Sequence, residues 1–197
     1  MQLSENFSLN ELTKSQTATR KGINNTPGDN EKENLKSLSI NILQKIRDHY
    51  GKPVRVTSGY RSPELCVAIG SSKNSQHAKG EAADFEITGV DNFDLAIWIS
   101  KNLEFDQLIS EFYKDQHPDS GWVHCSYKSE GNRKQVLSAY TNRGIIIHLK
   151  SSIRLFIKDI GDIYDPFPPA ADINPINLSV QELPVNSIKF LATALKS

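Results

Sequence analysis

The sequence predicts a domain that combines helices with short strands, an α+β fold. A helical spacing of apolar residues begins at Glu31, and a second one covers residues 91–103. The segments around these helices are short and either rich in β-branched residues or alternating in polarity, which is typical of strands. Of the 197 residues, 38% are apolar and 23% are charged, as in an ordinary globular protein.

The helical part of the pattern starts after a preamble over residues 1–30, in which Ser8 is placed to begin a short capped helix. The helix that begins at Glu31 should end at Gly51, and Pro53 prevents it from resuming. Its spacing puts six apolar side chains on one face, which should be buried. These residues are Leu35, Leu38, Ile42, Leu43, Ile46 and Tyr50.

Strands are predicted at 54–58, 81–87, 106–112, 122–127 and 135–140. Within the second of these, alternation puts Ala83, Phe85 and Ile87 on one side and Asp84 on the other.

The character of the chain changes after Thr141. Two further strand-like runs, at 145–147 and 155–157, precede a proline-rich break at 166–169. We therefore predict a main domain over 1–140 and an appendage of unknown role over 141–197.

Composition argues against several partners. The 23 basic residues equal the 23 acidic ones, so no net charge attracts nucleic acid or an anionic membrane. The first residues lack the pattern of a secretory signal, and no run approaches the ~20 apolar residues of a membrane span. We expect a monomer made in the cytoplasm without a signal peptide. Cys66 and Cys125 are too few for a disulfide framework, and we expect two small buried side chains, although they can pair if they meet.

The residues that suggest chemistry are His77, Asp84 and His124. Two imidazoles and a carboxylate form a ligand set that suits tetrahedral zinc, and three protein ligands leave the fourth position for water, as in catalytic sites. Gly80 allows the chain to turn from loop into strand between the first two ligands. Alternation puts His124 and Cys125 on opposite faces of their strand, so the thiol is not expected to bind the metal.

These residues and their surroundings resemble the zinc D-alanyl-D-alanine carboxypeptidase family, which includes the vancomycin-resistance dipeptidases and the L-alanyl-D-glutamate endopeptidases of phages. The resemblance covers roughly residues 5–140. It implies a small antiparallel sheet with flanking helices, the fold shared with the Hedgehog signalling domain. It also implies one zinc per chain on His77, Asp84 and His124. The matching residues are Ser75-x-His77-x-x-Gly80-x-Ala82-x-Asp84, Trp122-Val123-His124 and Ser58-Gly59-Tyr60-Arg61-Ser62.

The same resemblance implies roles for two more residues. Arg61 matches an arginine that neutralises the substrate carboxylate or the developing oxyanion, a task that suits a permanently charged planar group. A surface arginine in a turn is the alternative. Ser75 is expected to hydrogen-bond the backbone or the substrate near the metal, and a serine that only caps the loop is equally compatible with the sequence.

The general base departs from the family pattern. Many members have a carboxylate three residues before the last histidine, where this chain has Gly121. Glu111 can replace it if the strand at 106–112 pairs with that at 122–127, because Glu111 then shares a face with His124. Asp119, in the connecting loop, is the alternative. We favour Glu111 because a sheet holds a base more rigidly than a loop.

The expected reaction is hydrolysis of a peptide bond in bacterial cell-wall stem peptides. Carboxypeptidase and endopeptidase action stay open, as do a phage lysin released through a membrane pore and a cytoplasmic recycling dipeptidase. The alternative class is a non-catalytic, zinc-stabilised binding module or a phage structural protein on the same fold. No metal role is assigned to the other histidines, His49, His117 and His148.

Overall fold

The computed structural model describes residues 1–114, 117–142 and 145–150 of the chain. Within them lie six α-helices and one six-stranded sheet. The helices are α1 (Leu9–Thr13), α2 (Gln16–Lys21), α3 (Asp29–Leu38), α4 (Gln44–Tyr50), α5 (Pro63–Ala68) and α6 (Asn92–Asn102). The strands are β1 (Arg55–Ser58), β2 (Ala82–Glu86), β3 (Gln107–Glu111), β4 (Trp122–Ser126), β5 (Gln135–Asn142) and β6 (Ile145–Lys150).

The predicted helix before Gly51 is confirmed as α3 and α4 joined by a π-helical turn, Ser39–Leu43. The Ser39 hydroxyl donates to the Leu35 carbonyl at 2.7 Å at this irregularity. Five of the six side chains of the predicted face are fully buried, and the sixth, Tyr50, packs partly buried against the core. Gly51 ends α4 in the left-handed conformation, as expected of a C-terminal glycine.

The strand order in the sheet is β1-β2-β4-β3-β5-β6. All neighbouring strands pair antiparallel except β3 and β5, which are parallel. The predicted α+β class, with helices flanking a largely antiparallel sheet, is confirmed, and the parallel pairing of β3 with β5 is the one difference. The cause is the path of the chain after β4. This strand ends with Ser126 opposite Gln107, and β5 begins on the free edge of β3, also opposite Gln107, so it must run in the same direction as β3.

One face of the sheet meets the helices. Side chains from α3, α4 and α6 form a continuous apolar core with the inward side chains of the sheet. Those inward side chains include Ala83 and Phe85 of β2 and Val123 and Cys125 of β4, all fully buried. The alternation predicted for residues 81–87 is thus confirmed. The opposite face of the sheet carries Asp84 and does not contribute to this core.

The sheet continues beyond Tyr140, since β5 extends to Asn142 and pairs with β6. The predicted strand at 145–147 is confirmed within β6, whereas the run at 155–157 and the proline-rich break lie outside the described residues. The boundary at 140 stays a prediction. Cys66 and Cys125 are both buried and unpaired. None of the described helices combines the length and apolar character needed to cross a membrane.

Candidate metal centre

His77 is held by a 3-10 turn, Gln76–Lys79, that precedes β2. Its Nδ1 donates to the Gly59 carbonyl at 2.7 Å, which fixes the ring and turns Nε2 away from that carbonyl. Gly80 ends the turn at φ 70°, and a Cβ there would lie 2.5 Å from the Glu31 carbonyl oxygen. A glycine is therefore required at the point where the chain turns from His77 towards Asp84.

Asp84 and His124 are direct cross-strand neighbours in the pairing of β2 with β4. Opposite residues of an antiparallel pair point to the same face, so the carboxylate and the imidazole meet without any loop to position them. Cys125 points to the opposite face and is fully buried in the core. The prediction that this thiol does not bind the metal agrees with its position.

Three potential ligand atoms converge at this point. His77 Nε2 lies 3.3 Å from His124 Nδ1, and Asp84 Oδ1 lies 3.2 Å and 2.9 Å from these two nitrogens. Zinc–ligand bonds of about 2.0–2.2 Å in a tetrahedral arrangement separate ligand atoms by roughly 3.3–3.5 Å. All three side chains are buried. The donor types and the spacing therefore fit a zinc ion with three protein ligands.

The electrostatics favour the ligand form of Asp84. Burial alone would raise the pKa of this carboxyl group, but the charge of His77 and the hydrogen bonds from both imidazoles outweigh it and hold the pKa well below its usual range. The group is a carboxylate at neutral pH, ready to bind a cation.

Arg61 lies beside Asp84. Its Nη2 pairs with Asp84 Oδ2, and its Nε donates to the Ser58 hydroxyl at 2.8 Å. The side chain is only 19% exposed, so the alternative of a free surface arginine does not describe it. The guanidinium stands next to the proposed metal position, and its contact with substrate stays a prediction.

Ser75 is the N-cap of the turn that carries His77. Its hydroxyl accepts from the Ala78 N–H at 3.3 Å and lies 3.5 Å from Cys66 Sγ. These contacts support the capping alternative, whereas a contact with substrate stays a prediction.

Glu111 ends β3 directly opposite Trp122, so the expected strand pairing is confirmed and Glu111 shares the sheet face of His124. Partial burial, followed by the negative charge of Asp84, raises the pKa of Glu111, and His124, Arg61 and Trp122 oppose that shift. The Trp122 indole N–H is buried beside the carboxylate but does not reach hydrogen-bond geometry. Asp119, the alternative base, is exposed in the loop between β3 and β4.

Gly121 has no room for a side chain. Its φ is 67°, and a Cβ would lie 1.9 Å from the Glu111 carbonyl oxygen and 2.7 Å from backbone atoms of Phe112 and Tyr113. The carboxylate found in many relatives at this position is thus incompatible with the way this chain passes from β3 to β4. That close approach brings Glu111 to the same end of β4.

We expect Gly121→Asp to destabilise the protein rather than restore a base. An aspartate at 121 would be strained in the left-handed conformation, and its Cβ would displace the backbone at Glu111. Together these effects should lower the free energy of unfolding by about 2–6 kcal/mol. Urea unfolding measures this loss. Gly131→Asp is the matched control, because Gly131 has φ 71° but nothing within 4 Å of its Cβ, and it should lose only about 1–2 kcal/mol, from the left-handed conformation alone. Equal losses in the two variants would contradict the steric explanation.

Two residues near the metal position were not predicted from the sequence. The Nε2 of His124 lies 3.4 Å from Gln76 Oε1, and Gln76 Nε2 donates to Asp106 Oδ2 at 2.7 Å. The adjacency of Gln76 to His77 is a weak signal in the sequence. The partner Asp106 is 30 positions away, and nothing local marks it.

The remaining histidines lie apart from the cluster. His49 is exposed and stacks on Trp98, with 4.1 Å between ring centroids. His117 is exposed in the loop before β4. The side chain of His148 lies outside what the structure describes. Among the described residues, His77, Asp84 and His124 form the one such potential metal cluster.

Comparison with known proteins agrees with this geometry. None of the curated proteins compared with the chain matches it. A family model described as Peptidase M15 matches residues 5–126, a segment that ends two residues after the last proposed ligand. This family comprises metal-dependent peptidases, among them the zinc D-alanyl-D-alanine carboxypeptidases, so the predicted resemblance is confirmed. Because the match covers more than half of its length, the chain belongs to the peptidase M15 family.

Proposed function

We propose that this protein is a zinc peptidase that hydrolyses a peptide bond in the stem peptides of bacterial peptidoglycan. The observation that carries the proposal is the buried cluster of His77, Asp84 and His124 with Glu111 on the same sheet face. The two imidazoles and the carboxylate suit zinc better than magnesium or calcium, which prefer oxygen ligands.

The proposed chemistry divides between the ion and the chain. Bound zinc supplies a Lewis acid that lowers the pKa of water and polarises a carbonyl oxygen. Glu111 accepts the proton of the attacking water as the new C–O bond forms at the scissile carbonyl carbon. The protonated Glu111 then donates this proton to the leaving amine as the C–N bond breaks. The raised pKa of Glu111 supports this exchange, since it makes the carboxylate a better proton acceptor.

Arg61 supports the same reaction electrostatically. Its Nε and Nη2 are fixed by Ser58 and Asp84, so the guanidinium is preorganised beside the site before substrate arrives. We propose that it stabilises negative charge on the substrate, either the oxyanion or a terminal carboxylate. A terminal carboxylate would make the enzyme a carboxypeptidase, whereas an oxyanion is common to both modes.

The cell-wall substrate rests on the family resemblance, and digestion of purified stem peptides tests it. We expect zinc-loaded protein to release amino acids or fragments from muropeptides, with products identified by mass spectrometry. Release of a single terminal D-alanine indicates a carboxypeptidase, and internal cleavage indicates an endopeptidase. Cleavage of unrelated peptides alone would overturn the cell-wall assignment. Zinc binding without turnover of any peptide would favour the non-catalytic module.

A further inference from the structure

His124 has a second polar neighbour besides the metal cluster. Its Nδ1 faces Asp84, while its Nε2 lies 3.4 Å from Gln76 Oε1 on the turn that also carries His77. The other end of the Gln76 amide is engaged as well, because Nε2 donates to Asp106 Oδ2 at 2.7 Å. Gln76 therefore connects the imidazole of a proposed metal ligand to Asp106, a carboxylate that is not itself one of the proposed ligands.

Asp106 has no solvent exposure and is surrounded by cationic donors. Arg133 donates to it from Nε at 2.9 Å and from Nη2 at 2.6 Å, and Lys128 Nζ lies 3.1 Å away. Although burial raises the pKa of Asp106, the hydrogen bonds from Arg133 and Lys128 outweigh that effect and lower the pKa to about 2. Asp106 is therefore a carboxylate at neutral pH, and a carboxylate can only accept hydrogen bonds.

Because Asp106 only accepts hydrogen bonds, it determines the direction of the two that connect it through Gln76 to His124. Gln76 must turn its amide nitrogen towards Asp106, which leaves its carbonyl oxygen towards His124. A carbonyl oxygen only accepts, so when zinc replaces the Nδ1 proton that His124 shares with Asp84, the remaining ring proton lies on Nε2 and the Nδ1 lone pair faces the metal position. A reversed amide would present donors to Nε2 and favour the proton on Nδ1, where it would block ligation.

We infer that Gln76 is a positioning residue that, held in one orientation by Asp106, sets the His124 tautomer required for zinc binding. This inference rests on the zinc site of the proposed function but not on the substrate. Protein that binds no zinc at all would overturn the proposed site. Protein that binds zinc equally well with and without the Gln76 amide would overturn only this inference.

The affinity test replaces Gln76 by methionine, which keeps the length of the side chain but removes both hydrogen bonds. We expect Gln76→Met to weaken zinc binding about 10- to 100-fold, the usual effect of removing a partner of a metal-bound histidine. Chelator competition measures the dissociation constant without any peptide. Gln107→Met is the matched control, because Gln107 lies on the same sheet face and hydrogen-bonds Gln135 rather than His124. An unchanged affinity in Gln76→Met would contradict the inference.

A double-mutant cycle tests whether Asp106 acts through Gln76. Asp106→Asn gains an amide donor, so it no longer holds Gln76 in one orientation, and we expect weaker zinc binding. In the Gln76→Met background, Asp106→Asn should lower zinc affinity by less than about threefold, because the hydrogen bonds that connect Asp106 to His124 are already lost. Thermal midpoints of all variants report stability separately. Fully additive losses of zinc affinity would show that Asp106 acts independently and would overturn the proposed path.

The unmodified protein provides a third measurement that needs no variant to fold. In the zinc-loaded protein, the Nε2 proton of His124 should be visible by NMR as a hydrogen-bonded signal that exchanges slowly with solvent. The same signal should exchange rapidly in Gln76→Met, a change that a purely structural role does not produce. A rapidly exchanging Nε2 proton in the unmodified protein would overturn the inference.

Discussion

Replacing His77 or Asp84 by alanine is expected to abolish zinc binding and, with it, peptide cleavage. Each change removes one of three protein ligands whose atoms lie 2.9–3.3 Å from one another. With only two protein ligands left, the site should bind zinc too weakly to hold the ion against its hydration by water. Metal analysis of purified protein should give about one zinc per chain for the unmodified protein and almost none for the variants.

His49→Ala is the control for this experiment. His49 is exposed on α4 and stacks on Trp98, with no contact to the ligand cluster. This variant should keep its zinc and its turnover. Full zinc content in both His77→Ala and Asp84→Ala would contradict the ligand assignment, and zinc loss in His49→Ala would point to a metal site elsewhere.

Replacing Glu111 by glutamine should lower kcat by about 100-fold or more while zinc content stays unchanged, the scale expected for loss of a general base. Glutamine keeps the shape of the side chain but cannot accept the proton. Because Glu111 is not among the ligands, the metal site should be preserved. Steady-state kinetics on a defined stem peptide, with metal analysis alongside, checks both parts of the expectation.

Asp119→Asn is the matched change at the alternative base. Asp119 is exposed in the loop between β3 and β4, so this variant should retain nearly full activity. If Asp119→Asn is the crippling change and Glu111→Gln is not, the base lies in the loop. If neither variant loses activity while stem peptides are still cut, the proposed acid–base mechanism is wrong.

Much of the site geometry could be predicted from the sequence because it depends on local alternation. The period of two along β2 and β4 puts Asp84 and His124 on the face of the sheet that points away from the core. Glu111 follows by the same reasoning once β3 pairs with β4. Gly121 could be read only as a missing carboxylate, because its collision with the Glu111 carbonyl depends on how two strands meet in space.

Two features escaped prediction because they depend on contacts between distant parts of the chain. The parallel pairing of β5 with β3 depends on which edge of β3 is still free after β4 has paired, and no local pattern encodes that. The contact of Gln76 with Asp106 joins a turn to the residue that precedes β3. No local pattern in the sequence indicates that Asp106 makes this contact.

The pairing of Asp84 with His124 across β2 and β4 has a consequence for how the sheet assembles. Side chains alternate between faces at every residue, so a slip of one position between these strands would turn one of the two ligands into the apolar core. A mispaired sheet would then lack the ligand set, and zinc would bind only chains in the correct register. Because zinc would bind only correctly paired chains, it would stabilise the native strand register over slipped ones. Zinc present during refolding would therefore shift slipped chains towards the native pairing.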